Sequence, residues 1–241
     1  MASSNIPYLQ YGCPQTQIML YNEQYAVLYG NLIGGPLCAV GRITEHSQVI
    51  VADRSNSFQP DYRIHPSFRL DLVDYIGSGK DRGHLWNSAD SRASRQVNAE
   101  SFLLSNMSPQ DPEFNRGIWK KLETTIRELS ADPDILTTDV WCGPWWHDSS
   151  TKDNPVNVEW MGDTRGKRAC IPHGFWKAVL AKSASGTLRL WAFVFDNSQS
   201  SASLDSHQVK PSDITLISGM HIFDGIQGLD SLRTRKQHVW F

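Results

Sequence analysis

Apolar and polar positions change period several times along the chain, and each change predicts an element. From Gln24 to Arg42 short apolar runs flank a Gly-Gly-Pro break, which predicts a two-stranded hairpin. The run HSQVIVAD predicts a further strand, and Ser55 to Asp74, with Pro60 and Pro66, reads as a loop leading into YIGSGKDRGHL. In SPQDPEFNRGIWKKLETTIRELS the period becomes helical, with Ile118, Leu122, Ile126 and Leu129 forming one apolar stripe. On that helix Asn115, Trp119, Glu123 and Arg127 follow one another at four-residue spacing and fall on an adjacent arc. An amide, a carboxylate and a guanidinium are thereby expected side by side. The runs ILTTDVWCGPWW, ACIPHGFWKAVLA and TLRLWAFVFD are β-branched or aromatic and bounded by Gly, Pro, Ser and Asp, which predicts strands. NSQSSASLDSHQ reads as a polar surface loop, KPSDITLISGM as a short helix, and RTRKQHVWF as a basic, aromatic tail.

Composition narrows the class. The 241 residues are 40% hydrophobic and 20% charged, enough for one sizeable core, with no repeat or linker rich enough to divide the chain. A single domain over 1–241 is expected, with 1–10 and 231–241 as loose tails. Seventeen glycines, twelve prolines and nine tryptophans favour short strands and loops over an all-helical architecture. The net charge of -2 supplies no whole-molecule attraction for a polyanion, yet a local cluster of arginines suffices to hold a phosphate. The N-terminal stretch MASSNIPYLQYGCPQ has neither a basic start nor an apolar run of signal-peptide length, and no later stretch is long enough to span a membrane. A soluble protein without a membrane partner is expected. Cys13, Cys38, Cys142 and Cys170 are widely scattered, so free, buried thiols are expected, with a Cys13–Cys38 disulfide as the alternative. Cys142 and His147 lack the second pair that a zinc site needs.

The candidate chemistry lies in GSGKDRGHLWNSAD, Gly77 to Asp90. A histidine in such a loop is by itself a weak signal, ordinarily a surface group or a satisfied hydrogen-bond partner. Its weight comes from the stretch that follows, SFLLSNMSPQDPEFNRGIWKKLE. Asp81-Arg82-Gly83-His84, then Asn106 before Pro109-Gln110, Asn115, Trp119 and Leu122-Glu123 together resemble the non-specific DNA/RNA endonucleases of the ββα-metal superfamily, in particular the endonuclease G-like branch. The dense part of the resemblance runs from Arg54 to Leu129, with weaker likeness from QYGCP to GPWW and IPHGFWK.

The resemblance implies an α+β fold, a central, mainly antiparallel β-sheet flanked by helices, with the site built from the His84 strand and the Asn115 helix. It implies hydrolysis of DNA and RNA to 5′-phosphate products with little reading of bases, since the contacts go to phosphate and metal. His84 is then the general base, which suits an imidazole ordinarily titrating near pH 6.5. Asn115 is the one direct protein ligand of Mg²⁺, for which Mn²⁺ substitutes; a neutral amide oxygen suits a hard cation that keeps most of its waters. Asn115 equally fits a helix N-terminal cap. Glu123 reaches the metal through a water, or else pairs with Arg127 on the helix surface. Arg54, Arg82 and Arg127 hold phosphate, Arg54 and Arg127 being alternatively surface charges and Arg82 alternatively serving a structural ion pair. Asn106 positions substrate or His84, or is a buried loop amide, and Asp81 fixes the loop. The glycines are expected to turn the chain tightly ahead of His84. Trp145 and Trp146 stack on bases or pack. A homodimer and an inhibitor protein are further implied partners, the protein being either exported or intracellular under restraint. The rival functions are a DNA-restricted or end-directed nuclease and a partner-activated, toxin-like nucleic-acid-binding protein.

Overall fold

The computed structural model describes residues 17–45, 47, 49–146, 159–163, 166–226 and 232. Cys13 and almost all of the two expected tails lie outside them. The predicted hairpin forms from β2 (Tyr25–Gly30) and β3 (Gly35–Ile43), turning at Asn31 to Gly34, where Gly34 takes φ 62°. A strand not anticipated, β1 (Gln17–Tyr21), pairs with β2.

The second half contributes β6 (Ile135–Trp145), β9 (Gly174–Ser183), β10 (Leu188–Asp196) and the short β11 (Gln208–Val209). Together they make a seven-stranded antiparallel sheet in the order β1-β2-β3-β6-β9-β10-β11. β4 (Asp81–His84) pairs with β5 (Met107–Gln110), and β7 (Trp160–Asp163) with β8 (Gly166–Cys170), as separate antiparallel ribbons.

Alternation along the strands gives the large sheet two apolar faces. On one, Val27, Tyr29, Ala39, Val140, Phe175 and Val179 pack against Ile118, Leu122, Ile126 and Leu129, the stripe predicted from helical spacing. Those four side chains each gain about 1.5–3 kcal/mol from burial, so the stripe anchors the helix that carries the site. On the other face Trp176, Ala178, Leu180 and Leu190 meet Ile214, Ile222 and Phe223. Ile214 belongs to α4 (Pro211–Ser218), the predicted short helix, which begins with proline at its first turn and ends at Gly219 with φ 68°. α1 (Arg95–Ser101) starts at Ser94, whose hydroxyl accepts from Val97 N.

Two local expectations fail. HSQVIVAD forms no strand among its described residues: Val51 N and Ala52 N both donate to Arg92 O, so these donors are unavailable for a ladder, and Val49, Ile50 and Val51 stay exposed. The long helix is not continuous. Asp111 caps α2 (Pro112–Phe114), a π turn over Asn115–Trp119 follows with Gly117 off helical geometry at φ -96° and ψ -109°, and α3 (Lys120–Ser130) then runs regularly. The wider turn shifts the register, so Trp119 faces inward and is fully buried instead of sharing an arc with Asn115 and Glu123. Cys38, Cys142 and Cys170 are free and buried. No helix among the described residues is long and apolar enough to cross a membrane.

Candidate active site

The β4–β5 ribbon places His84 opposite Met107 at the wall of a cavity of about 600 Å³. Ahead of it Gly77 and Gly79 take φ 73° and 70°, conformations that favour glycine, so these two make the turn. Gly83 does something else. It lies within β4, and the Gln110 side chain occupies the place a Cβ would need. The imidazole packs between Phe58 and Phe102, at 5.7 Å and 5.0 Å between ring centroids. Among the described residues Nε2 is enclosed without a hydrogen-bond partner, so of the two ring nitrogens Nδ1 is the candidate for contact with the cavity that His84 lines. Burial, aided by the charge of Arg54, lowers the His84 pKa to about 3, so the free protein carries a neutral imidazole.

The backbone after His84 is fastened from three sides. Trp119 Nε1 donates to His84 O at 3.1 Å, Leu85 N donates to Asn106 O at 3.0 Å, and Cys142 Sγ donates to Leu85 O at 3.1 Å. Asn106 Oδ1 accepts from Trp86 N, while its Nδ2 donates to Trp86 O and Ser101 O. That side chain is fully buried and absent from the cavity wall. These contacts brace the strand behind His84 from the interior, which fits both the buried loop amide and the positioning of His84, and they keep Asn106 off the cavity wall.

Asn115 lines the same cavity, and its Nδ2 donates to Asp81 Oδ2, at the start of β4, at 2.9 Å. Asp81 also takes two bonds from Arg116, at 2.9 Å from Nε and 2.7 Å from Nη2. A carboxylate only accepts, so it selects the amide nitrogen and leaves Asn115 Oδ1 without a protein donor among the described residues. The helix cap itself is Asp111, so Asn115 is not spent on capping.

Glu123 does not pair with Arg127. Arg127 Nε donates to Asp90 Oδ1 at 2.7 Å, and Glu123 Oε1 lies 3.5 Å from Lys177 Nζ. Burial raises the pKa of Glu123, with Lys177 opposing it, and burial likewise raises that of Asp90, with Arg127 opposing. Lys177 escaped the sequence reading, although a single lysine within the apolar run GFWKAVLA, on the face shared with Phe175 and Val179, was a legible signal. Arg116, Lys120, Arg92 and Phe58 were also missed, because exposed cations and a loop phenylalanine carry no spacing to detect.

Arg82 lies over the Phe58 ring at 4.3 Å and Arg54 over Phe102 at 5.6 Å. Neither forms an ion pair among the described residues, so the structural ion pair considered for Arg82 is not made there. Of the charged groups lining the cavity, Arg54, Arg82, Arg92, Arg116, Lys120 and Arg127 face only Asp81 and Glu123. A chain of net charge -2 thus concentrates cations in one hollow. Among the described residues no group of three or more His, Cys, Asp or Glu can hold a metal. The oriented Asn115 oxygen fits a cation that takes its remaining ligands from water and phosphate, and Glu123 lines the same cavity.

A family model described as DNA/RNA non-specific endonuclease matches residues 3–229. Among curated proteins the chain is 36% identical to the nuclease of Syncephalastrum racemosum over 187 residues, which are 73% of this chain and 57% of that one. It is 30% identical to human mitochondrial nuclease EXOG over 236 residues, 93% of this chain and 62% of the relative. With human mitochondrial endonuclease G the figures are 30% over 190 residues, 78% and 63%. The chain therefore spans about three fifths of the length of these relatives. The solved structure described as the EndoG/EndoGI complex, with the mechanism of EndoG inhibition, superposes with a TM-score of 0.81 at 29% identity, covering 90% of each chain.

Proposed function

Because the chain belongs to the DNA/RNA non-specific endonuclease family, we propose that it is an Mg²⁺-dependent endonuclease hydrolysing the phosphodiester bonds of DNA and RNA to 5′-phosphate products, with Mn²⁺ able to replace Mg²⁺. The observation that carries this reading is the pairing, across one cationic cavity, of a neutral imidazole with an asparagine whose oxygen Asp81 keeps free.

His84 Nδ1 accepts the proton of the attacking water. A group with a pKa of about 3 is a weak base, but part of that depression comes from Arg54. A substrate phosphate that pairs with Arg54 offsets its charge and raises the basicity of His84 when it is needed. Arg82, and the Arg127 amino groups not engaged by Asp90, neutralise the other phosphate oxygens. Asn115 Oδ1 would hold the metal directly and Glu123 through a water. The bound cation supplies Lewis-acid charge to the phosphate and the departing 3′ oxygen. Among the described residues lining the cavity, the polar groups suit phosphate and metal better than base edges, which supports cleavage with little sequence preference.

A homodimer and a restraining inhibitor belong to the same proposal, the latter supported by a solved relative described in complex with EndoGI. The test is digestion of supercoiled plasmid and single-stranded RNA by wild type and His84→Ala, each with Mg²⁺ and with excess EDTA. Cleavage of both substrates by metal-loaded wild type alone is expected. Cleavage by His84→Ala at the wild-type rate removes the base, and loss of RNA cutting alone restricts the activity to DNA.

A further inference from the structure

On β9 the alternating positions Phe175, Val179 and Ala181 face the core against the site helix, and Lys177 stands among them with 2% of its side chain exposed. Taking an ammonium out of water costs heavily unless something in the interior needs it, and a lysine stem is long enough to carry the charge to a surface when one is near. Lys177 instead ends inside. Its Nζ lies 3.5 Å from Glu123 Oε1 and 3.9 Å from the centroid of the Trp119 ring.

Each of these contacts leads to the site. Trp119, fully buried, turns its Nε1 to His84 O at 3.1 Å, so one indole receives the ammonium on its face and holds the histidine strand by its edge. The cross-strand neighbour of Lys177 on β6 is Cys142, whose Sγ donates to the carbonyl of Leu85, directly after His84. Glu123 Oε1 is engaged by the ammonium, and Oε2 has no protein partner among the described residues although Glu123 lines the cavity. Asp90 and Arg127, the other charged groups acting on Glu123, are already bonded to each other.

We propose that Lys177 is a positioning residue: it holds one Glu123 oxygen so that the other faces the cavity and, through Trp119, fixes that carboxylate relative to the His84 backbone. The inference rests on Glu123 acting at the metal, as proposed above. An apolar residue would fill the same space without the desolvation penalty, so packing alone does not account for a charge there.

The experiment is a double-mutant cycle of wild type, Lys177→Met, Glu123→Gln and the pair, reading kcat and KM with Mg²⁺ on DNA and the dissociation constant of Mn²⁺ for the substrate-free protein by EPR. Lys177→Met is expected to lower kcat by about 30-fold, with KM changing little, and to change the Mn²⁺ constant by about threefold or more. Both effects should disappear in the Glu123→Gln background, where no carboxylate remains to be positioned. Equal losses in both backgrounds overturn the inference and leave the Glu123 assignment standing. If Glu123→Gln alone alters neither kcat nor Mn²⁺ binding, the Glu123 assignment falls first and this inference with it. Should Lys177→Met fail to fold, Lys177→Gln takes its place in the cycle with the same criterion. Where both fold, the amide donor of Lys177→Gln should restore part of the lost kcat, and equal kcat for the two variants counts against positioning.

Discussion

Asp81 Oδ2 accepts a 2.9 Å hydrogen bond from Asn115 Nδ2, and this contact decides which end of the asparagine amide meets the cavity. The two residues lie 34 positions apart, on the ribbon and on the π turn. Asp81→Asn removes the selectivity, because an amide there can offer either a donor or an acceptor. Its expected effect is a loss of about 10–100-fold in cleavage rate together with a higher Mg²⁺ requirement. Arg116, which also binds Asp81, is largely exposed, so the melting temperature should hardly move. A Mg²⁺ titration of plasmid cleavage beside a thermal melt checks both statements.

The pH behaviour follows from His84. With a pKa lowered to about 3 by burial and Arg54, against an ordinary value near 6.5, His84 as the base is expected to cause no loss of kcat/KM as pH falls from 7 to 5, which a pH–rate profile checks. Arg54→Gln removes one cause of the depression, so the acid limb of its profile should lie at higher pH than that of wild type. The same shift has a stability consequence. The unfolded chain takes up the proton near pH 6.5 and the folded protein near 3, so stability complete above about 6.5 is lost as pH falls toward 3. His84→Ala should flatten that part of the denaturation curve; an unchanged slope rejects the assignment.

Gly83 and Gln110 make a packing prediction. Gly83→Ala drives a methyl into the Gln110 side chain, in a ribbon that carries both Asp81 and His84. A loss of about 1–3 kcal/mol is expected from overpacking, with a larger fall in activity because the strand itself must move. The double variant Gly83→Ala/Gln110→Ala should regain most of the stability in urea denaturation.

Asn106 gives the opposite pattern. Asn106→Ala leaves Trp86 N, Trp86 O and Ser101 O without this partner in the interior, a cost of about 1–3 kcal/mol for each group that finds no other. Cleavage per folded molecule, measured well below the melting temperature, should stay within about tenfold of wild type, since Asn106 does not reach the cavity. A loss comparable to that of His84→Ala would restore it to the reacting groups.

How much of this was legible depended on whether the signal was local. The apolar stripe of Ile118, Leu122, Ile126 and Leu129 was, since each residue keeps its neighbours at helical spacing within α3 or one turn of it. The hairpin around Gly34 and the short helix ending at Gly219 were legible for the same reason, positive φ at a turn or helix end favouring glycine. HSQVIVAD was misread because a strand needs a partner as well as β-branched residues, and its backbone donors go to Arg92 instead. Trp119 was placed on the wrong arc because nothing in four-residue spacing announces a π turn.

By itself the sequence determined the family and the amphipathic stripe and singled out His84, Asn115 and Glu123 as candidates, all carried by residue type at fixed separation along the chain. The tertiary structure decided where those residues lie and what they touch. It aimed the Asn115 amide with Asp81, moved Arg127 from Glu123 to Asp90, placed Lys177 beneath Glu123, and drew cations scattered from Arg54 to Arg127 into one hollow. Each of these is a contact between residues distant in sequence, and its energy depends on burial and on which charges share a low-dielectric space. Neither quantity exists until the sheet and its helix have closed over the site.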